Sequence, residues 1–473
     1  MTMPEDPMPG APGAPGGAPL LLTGCTVHST AEPYAEAMIV EDGLITWAGS
    51  EETAQRLSDD RFDIRDCEGA LVAPAFVGWL QRDLLAASER VTSGGPDPSE
   101  HVREALDRAA AVGCGAVRMS CGVSREDFLE LTVDLGEGES TYDRYDAPRV
   151  IERLLGEALQ AAAEHPVQVW PAVRVVGLAG LDLDDPRQAS FLMDLIWLAR
   201  GCDETAGVPV ALEMNLWDVL GVGPEQAESP AAVDRLLEIR RSAAGAGRQL
   251  ILDAGHQDEQ GKVMPAKGEE AGVVVRLLAR TLEALREERQ APAGDLPTVL
   301  SGFDPQERQS WQALVGSNVH VVLRRPGSLG TALSVGVPLS VAPPEGENPW
   351  RLVSDHVHHG DGVSVRAAFN AQARGAHRGF PGASGLGGQL NPGAEASYAL
   401  WGADSLAVQT PDARTAAWST DVRARTPLLP YLDGETMPRL LATVVRGVEA
   451  QGGGGHGGHS GSVPGRAQGG EAE

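Results

Sequence analysis

The sequence predicts an α/β chain: a (β/α)8 (TIM) barrel inserted into a small β-sandwich that both ends of the chain build together. Two observations predict it. From Leu71 to about residue 384, eight short apolar runs alternate with stretches whose apolar residues recur at three and four spacing, the pattern of strands joined by helical crossovers. On either side, residues 19–70 and 385–450 carry short apolar runs separated by turn residues. An open doubly wound sheet is the alternative that the same alternation allows.

Residues 1–18 are rich in Pro, Gly and Ala and read as a disordered tail with nothing to pack. LLLTGCTVHS, EAMIVEDGLITWAGS and RFDIRDCEGALVAP then form the first half of the sandwich, with Asp42-Gly43 as a hairpin turn. Barrel strands are expected over 70–76, 115–120, 167–176, 208–215, 249–255, 296–302, 320–324 and 337–342. Helical spacing is clearest over 101–112, 149–164, 231–243 and 269–288. Residues 386–402 and 439–450 return to the sandwich. Residues 451–473 read as a second disordered tail, in which His456 and His459 on a Gly-rich linker make a poor metal site.

Composition bounds the function. Apolar residues make up 42% of 473, enough to fill a core. The formal net charge of −28 disfavours nucleic acid and anionic membranes as partners. The N-terminus has neither the basic nor the apolar region of a signal peptide, and no run of about 20 apolar residues occurs, so a cytoplasmic protein is expected. Cys25, Cys67, Cys114, Cys121 and Cys202 are too few and too scattered for a disulfide scaffold and read as buried thiols.

Four phrases in order carry a family resemblance: EAMIVEDGLITWAGS, EGALVAPAFVG, VGVPLSVAPPEGENPW and GGQLNPGAEASYALW. Together they resemble the amidohydrolase superfamily, in particular its formamide-deformylase-like and imidazolonepropionase-like branches with a composite fold, over roughly residues 20–450. The resemblance implies a metal-dependent hydrolase, with a His-x-His pair following the phrase that here reads PAFVG. Side chains at i and i+2 of a strand face the same way, so two such imidazoles reach one metal. In this chain Gly78 replaces the preceding aspartate, and Leu80 and Arg82 stand in the histidine positions. Leucine has no lone pair, and a protonated arginine repels a divalent cation. Where the family places a late aspartate, Ala342 and Pro343 stand, with Glu345 further on; near the sixth strand LSGF replaces a histidine. The resemblance therefore points to a degenerate member with no metal site.

Strand C-terminal ends are where barrels place functional groups. Arg82, Arg174, Glu213, Asn215, Asp253 and His256 fall there and are the ligand-pocket candidates; Glu213, Asp253 and His256 are also the weak catalytic candidates. The same residues read as ion pairs filling an emptied cavity, with Trp79 and Leu80 adding apolar packing. The cluster DHVHHGDG, with His356, His358 and His359, reads as loop or surface sequence, and His28 lies far from the barrel ends. Lys262 and Lys267 fall in a loop able to cover the mouth. No phosphate loop and no nucleophile elbow is present.

The expectation that follows is a protein that has lost metal-dependent hydrolysis and acts by binding or assembly, with a small molecule or another protein as partner, as a homodimer, and with no cofactor. The alternative is a hydrolase of carbon–nitrogen bonds in a small amide or formamide, working through an atypical site and then expected to hold zinc. A third class is small-molecule sensing through an enclosed pocket at the mouth.

Overall fold

Eight parallel strands form one sheet in chain order, and the helices between them explain why they are parallel. They are β1 (Phe76–Asp83), β2 (Cys114–Ser124), β3 (Gln168–Val176), β4 (Ala211–Asn215), β5 (Leu250–Asp253), β6 (Thr298–Ser301), β7 (Val319–Leu323) and β8 (Leu339–Val341). The computed structural model describes residues 18–83, 97–124, 146–176, 186–257, 263–382, 384–409 and 426–452. Calls made on residues 1–17 and 453–473 of the two tails, on His456 and His459 and on Lys262 lie outside the described residues; Gln451 and Gly452, expected in the second tail, instead end the strand Val448–Gly452, which pairs with Arg439–Val445.

Each strand is hydrogen-bonded to its neighbour in sequence from β1 through to β8. The sheet curls until its first and last strands meet. Trp79 of β1 and Ala342, just past β8, share one apolar cluster with Ala172, Ala211, Ile251, Val299 and Val322. Among the described residues no ladder joins β8 to β1, so side-chain packing closes that seam.

The crossovers form where the sequence supplies both a cap and a stripe. Asp97 accepts the backbone N–H of Ser99 at 2.9 Å and starts the helix Pro98–Ala110, with Pro98 in the first turn where its missing donor costs nothing. Val102, Ala105, Leu106 and Ala109 then recur at three and four spacing and bury that face against the outside of the sheet. Each fully buried Leu or Val there contributes about 1.5–3 kcal/mol.

Both chain ends build the sandwich. One sheet contains Leu20–Thr23, Ala37–Glu41, Leu44–Gly49 and Asp63–Asp66; the other contains Thr26–Val27, Leu71–Pro74, Tyr398–Gly402, Arg439–Val445 and Val448–Gly452. Asp42 and Gly43 both take positive φ (50° and 76°), as a two-residue hairpin turn requires. The run over 70–76 is two strands. Leu71–Pro74 pairs antiparallel with Tyr398–Gly402, and after Ala75 the chain enters the barrel at Phe76. Phe76 packs edge-on against Trp350, Phe369 and Trp401 at centroid distances of 5.2, 5.3 and 6.0 Å, which ties the start of β1 to the sandwich. No helix of the described residues is long and apolar enough to cross a membrane.

Candidate functional site at the barrel mouth

Alternation along each strand fixes which side chains enter the barrel. The inward set at mid-height is the Trp79 cluster. Two residues further along the strands, toward the C-terminal ends, the same faces carry Gln81, Arg174, Glu213, Asp253, Ser301 and Arg324, with Ser120 paired opposite Gln81. An apolar floor therefore lies beneath a polar rim.

Glu213 is the centre of that rim and only 1% exposed. Its Oε1 accepts from Gln81 Nε2 at 3.3 Å and lies 3.7 Å from Arg174 Nε. The hydroxyl of Ser120 donates to its Oε2. Burial pushes the Glu213 carboxyl above its usual range; Ser120 and Arg174 oppose this, Asp253 adds to it, and Arg324 opposes it. Arg324 lies over the Trp79 ring, 5.5 Å from its centroid, which braces the rim against the layer below. Burial pulls the Arg324 guanidinium down, while Asp253 and Glu213 hold it up. Asp253 Oδ1 accepts the backbone N–H of Gly255 at 3.0 Å. Gly302, at φ +62°, lets the chain pass close to that turn: a Cβ there would stand 2.2 Å from Asp253 Oδ1 and 2.3 Å from Gly255 N.

Of the sequence candidates, Arg174, Glu213 and Asp253 come together here. Asn215 serves the backbone: its Oδ1 accepts from Trp217 and Asp218 N–H at 3.0 and 3.2 Å, capping the helix Leu216–Leu220, and its Nδ2 donates to Gly255 O at 2.8 Å. His256 lies in a short hairpin opposite Met264, its Nδ1 3.6 Å from Glu270 Oε2. Arg82 pairs in register with Cys121, and its side chain lies outside the described residues. Lys267 occupies the N-cap position of the helix Gly268–Glu287. Gln81, Ser120 and Arg324 join the site unannounced. The signal that finds Gln81 and Ser120 is strand parity, and Arg324 ends the run HVVLR.

The structure also changes which residues occupy the inward positions of β1. Leu80, matched by sequence to a histidine position, is buried in the outer core with Val102, Leu106 and Met119. Trp79 and Gln81 face inward instead. Alternation along β1 is unbroken, with Phe76 and Leu80 in the outer core and Val77 and Trp79 inside; the register irregularity beside it falls on β2, where Gly115 is the extra residue between Cys114 and Ala116.

The rim does not fit a divalent metal. Among the described residues its donors are two carboxylates, an amide and hydroxyls, with no imidazole. Two guanidinium groups repel a cation there, and both oxygens of Glu213 are engaged. Among the described residues no three His, Cys, Asp or Glu side chains gather to hold one. The DHVHHGDG histidines diverge at the end of the helix Pro349–His358. His356 is buried and pushed down to about 4 by that burial, His358 Nε2 lies 3.3 Å from Leu432 O, and His359 Nδ1 accepts the Asp361 N–H at 3.3 Å. His28 sits in the sandwich, 3.3 Å from Leu428 O. All five cysteines are buried and reduced.

No protein-family model matches this chain. No curated protein matches it either. Solved structures do. An atrazine chlorohydrolase from Arthrobacter aurescens complexed with zinc is 15% identical, with a TM-score of 0.55 over 91% of this chain and 94% of that one. An adenosine deaminase from Xanthomonas campestris with bound zinc is 10% identical, with a TM-score of 0.55 over 92% and 93%. An N-isopropylammelide isopropylaminohydrolase from Burkholderia multivorans is 18% identical, with a TM-score of 0.54 over 91% and 98%. At these identities the likeness is one of fold.

Proposed function

We propose that this chain, which has the fold of the amidohydrolase superfamily, has lost metal-dependent hydrolysis and works by binding a small polar molecule at the barrel mouth. One observation carries the reading: the inward rim holds Arg174 and Arg324 among Glu213 and Asp253, above Trp79, with no imidazole among the described residues. Glu213 is committed to Gln81, Ser120 and Arg174 and serves to hold the rim together. Arg174 keeps 31% of its side chain exposed, so its planar fork is free to take a carboxylate or another anionic group of the ligand. The unspent carboxylate oxygen of Asp253 supplies an acceptor for a ligand N–H or O–H.

Two measurements test this. Untagged protein, purified without chelator and exposed to zinc, is analysed for metal; less than about 0.1 metal per chain is expected, since a complete ligand set holds the ion tightly. Thermal-shift screening against small carboxylic and amino acids then gives a stabilising ligand whose effect disappears in Arg174→Met. About one tightly held metal per chain, together with zinc-dependent hydrolysis of a small amide, overturns the proposal in favour of an atypical hydrolase of carbon–nitrogen bonds.

A further inference from the structure

Below the Trp79 layer the barrel interior turns polar again. Arg118 is 2% exposed. Its Nη2 donates to Gln249 Oε1 at 2.6 Å, and its guanidinium lies 4.8 Å from the Phe380 ring centroid. Gln249 cannot turn away, because its Nε2 donates to Pro297 O at 3.2 Å and Gly379 O at 2.9 Å. Among the described residues no carboxylate makes an ion pair with Arg118, and its Nη1 is buried without a hydrogen-bond partner. The indole Nε1 of Trp79, the in-register neighbour of Arg118, is a second buried donor without a partner.

Both residues line the same cavity of about 20 Å³, with His320 and Ser340 on its far wall. That volume has room for one small particle such as a water molecule or a halide. No Asp or Glu lines the cavity. His320 Nε2 lies 2.9 Å from Ser340 Oγ. With the ring proton on Nε2, Ser340 accepts from the imidazole and keeps its own hydroxyl proton free for the cavity. Burial pulls the Arg118 guanidinium down to about 9, with Glu213 opposing, so the cation is poorly compensated where it stands.

We propose that the barrel floor holds one monatomic anion, chloride in a physiological medium, bound by the Arg118 Nη1–H, the Trp79 indole N–H and the Ser340 hydroxyl. An anion supplies what the site lacks: a counter-charge for a buried guanidinium and an acceptor for two orphaned N–H donors. A water molecule offers the acceptor without the charge.

Halide replacement tests this. Crystals of the full chain grown in sodium bromide are examined for anomalous scattering, and melting is followed in chloride, bromide and gluconate at equal ionic strength. An anomalous peak between Trp79 and Arg118 is expected, with a melting temperature that rises saturably in the halides and not in gluconate. Trp79→Phe keeps an aromatic side chain and removes one donor, so halide affinity falls about tenfold. Arg118→Met abolishes the halide effect; should that variant not fold, Trp79→Phe carries the test. A floor cavity without anomalous signal, or a halide effect unchanged in Trp79→Phe, overturns the proposal in favour of water or of an ion bound elsewhere.

Discussion

Trp79→Ala is the most demanding test of the barrel as described. Trp79 is 5% exposed and fills the interior against Ala172, Ala211, Ile251, Val299, Val322 and Ala342. These neighbours are mostly small, short of the size needed to collapse into the space left behind. Truncating a buried tryptophan costs about 3–5 kcal/mol, and loss of the Arg324 contact adds about 0.5–1 kcal/mol. The expected loss, about 4 kcal/mol, is a large share of the roughly 5–15 kcal/mol typical of a folded protein. Urea unfolding followed by far-UV circular dichroism reads it directly. With a slope of roughly 3 kcal/mol/M the midpoint falls by about 1.3 M. Trp197→Ala is the matched control: Trp197 is 63% exposed, so its loss moves stability by less than about 0.5 kcal/mol. A cost below about 1 kcal/mol for Trp79→Ala would refute the inward assignment of Trp79 and with it the phase of β1.

Three further outcomes follow from the same geometry. Leu80→His places an imidazole among Val102, Leu106 and Met119, so stability drops by about 3 kcal/mol and zinc does not restore it; recovery with zinc would put position 80 at the mouth. Burial holds His28, His320 and His356 at about 4, below the ordinary 6.5. The unfolded chain binds more protons between those values, so stability is full above about pH 6.5 and falls by about 3 kcal/mol per histidine by about pH 4. A urea midpoint unchanged between about pH 7 and 5 contradicts this. Glu213 has the opposite sign: its raised folded-state pKa means a contribution present below about 4.5 and lost as pH rises. Glu213→Gln keeps an acceptor for Ser120 and removes the buried charge, so the variant gains on the wild type as pH increases; a variant that loses ground between pH 5 and 8 shows that Glu213 is stabilised as a carboxylate.

The fold was legible because its signals are local and repeated. Eight apolar runs separated by amphipathic stretches leave few topologies, and Asp42-Gly43 names its own turn. Glu213 and Arg174 were legible for the same reason, each a charge two residues beyond an apolar strand position. What failed to carry over was phase. A strand admits either parity, and nothing in PAFVGWLQR says whether Trp79 or Leu80 enters the barrel. Asn215 and His256 lie away from the rim for another reason. Their strands end there, and a residue at a strand end serves the next turn or helix as readily as it serves the barrel. Arg118 carries no signal of its own, because nothing local in GAVRMS says which of its two faces the closed barrel buries.

The described interior carries a charge opposite to that of the chain. Arg118, Arg174 and Arg324 stand against Glu213 and Asp253, while the whole molecule is formally −28. Burial also favours the neutral form of Glu213, which tilts the interior further toward positive. At an ionic strength near 0.15 M, screening over about 8 Å confines the outer field to the surface, whereas the low-dielectric interior keeps its own. An anion is therefore repelled on approach and attracted on arrival. Added inert salt accelerates association of an anionic ligand with the rim by screening the approach and leaves dissociation nearly unchanged. Stopped-flow binding of the ligand found by thermal shift measures both rates. An association rate that falls as salt rises would mean that the rim is reached through a positive field, and the interior would then no longer be the exception in an acidic molecule.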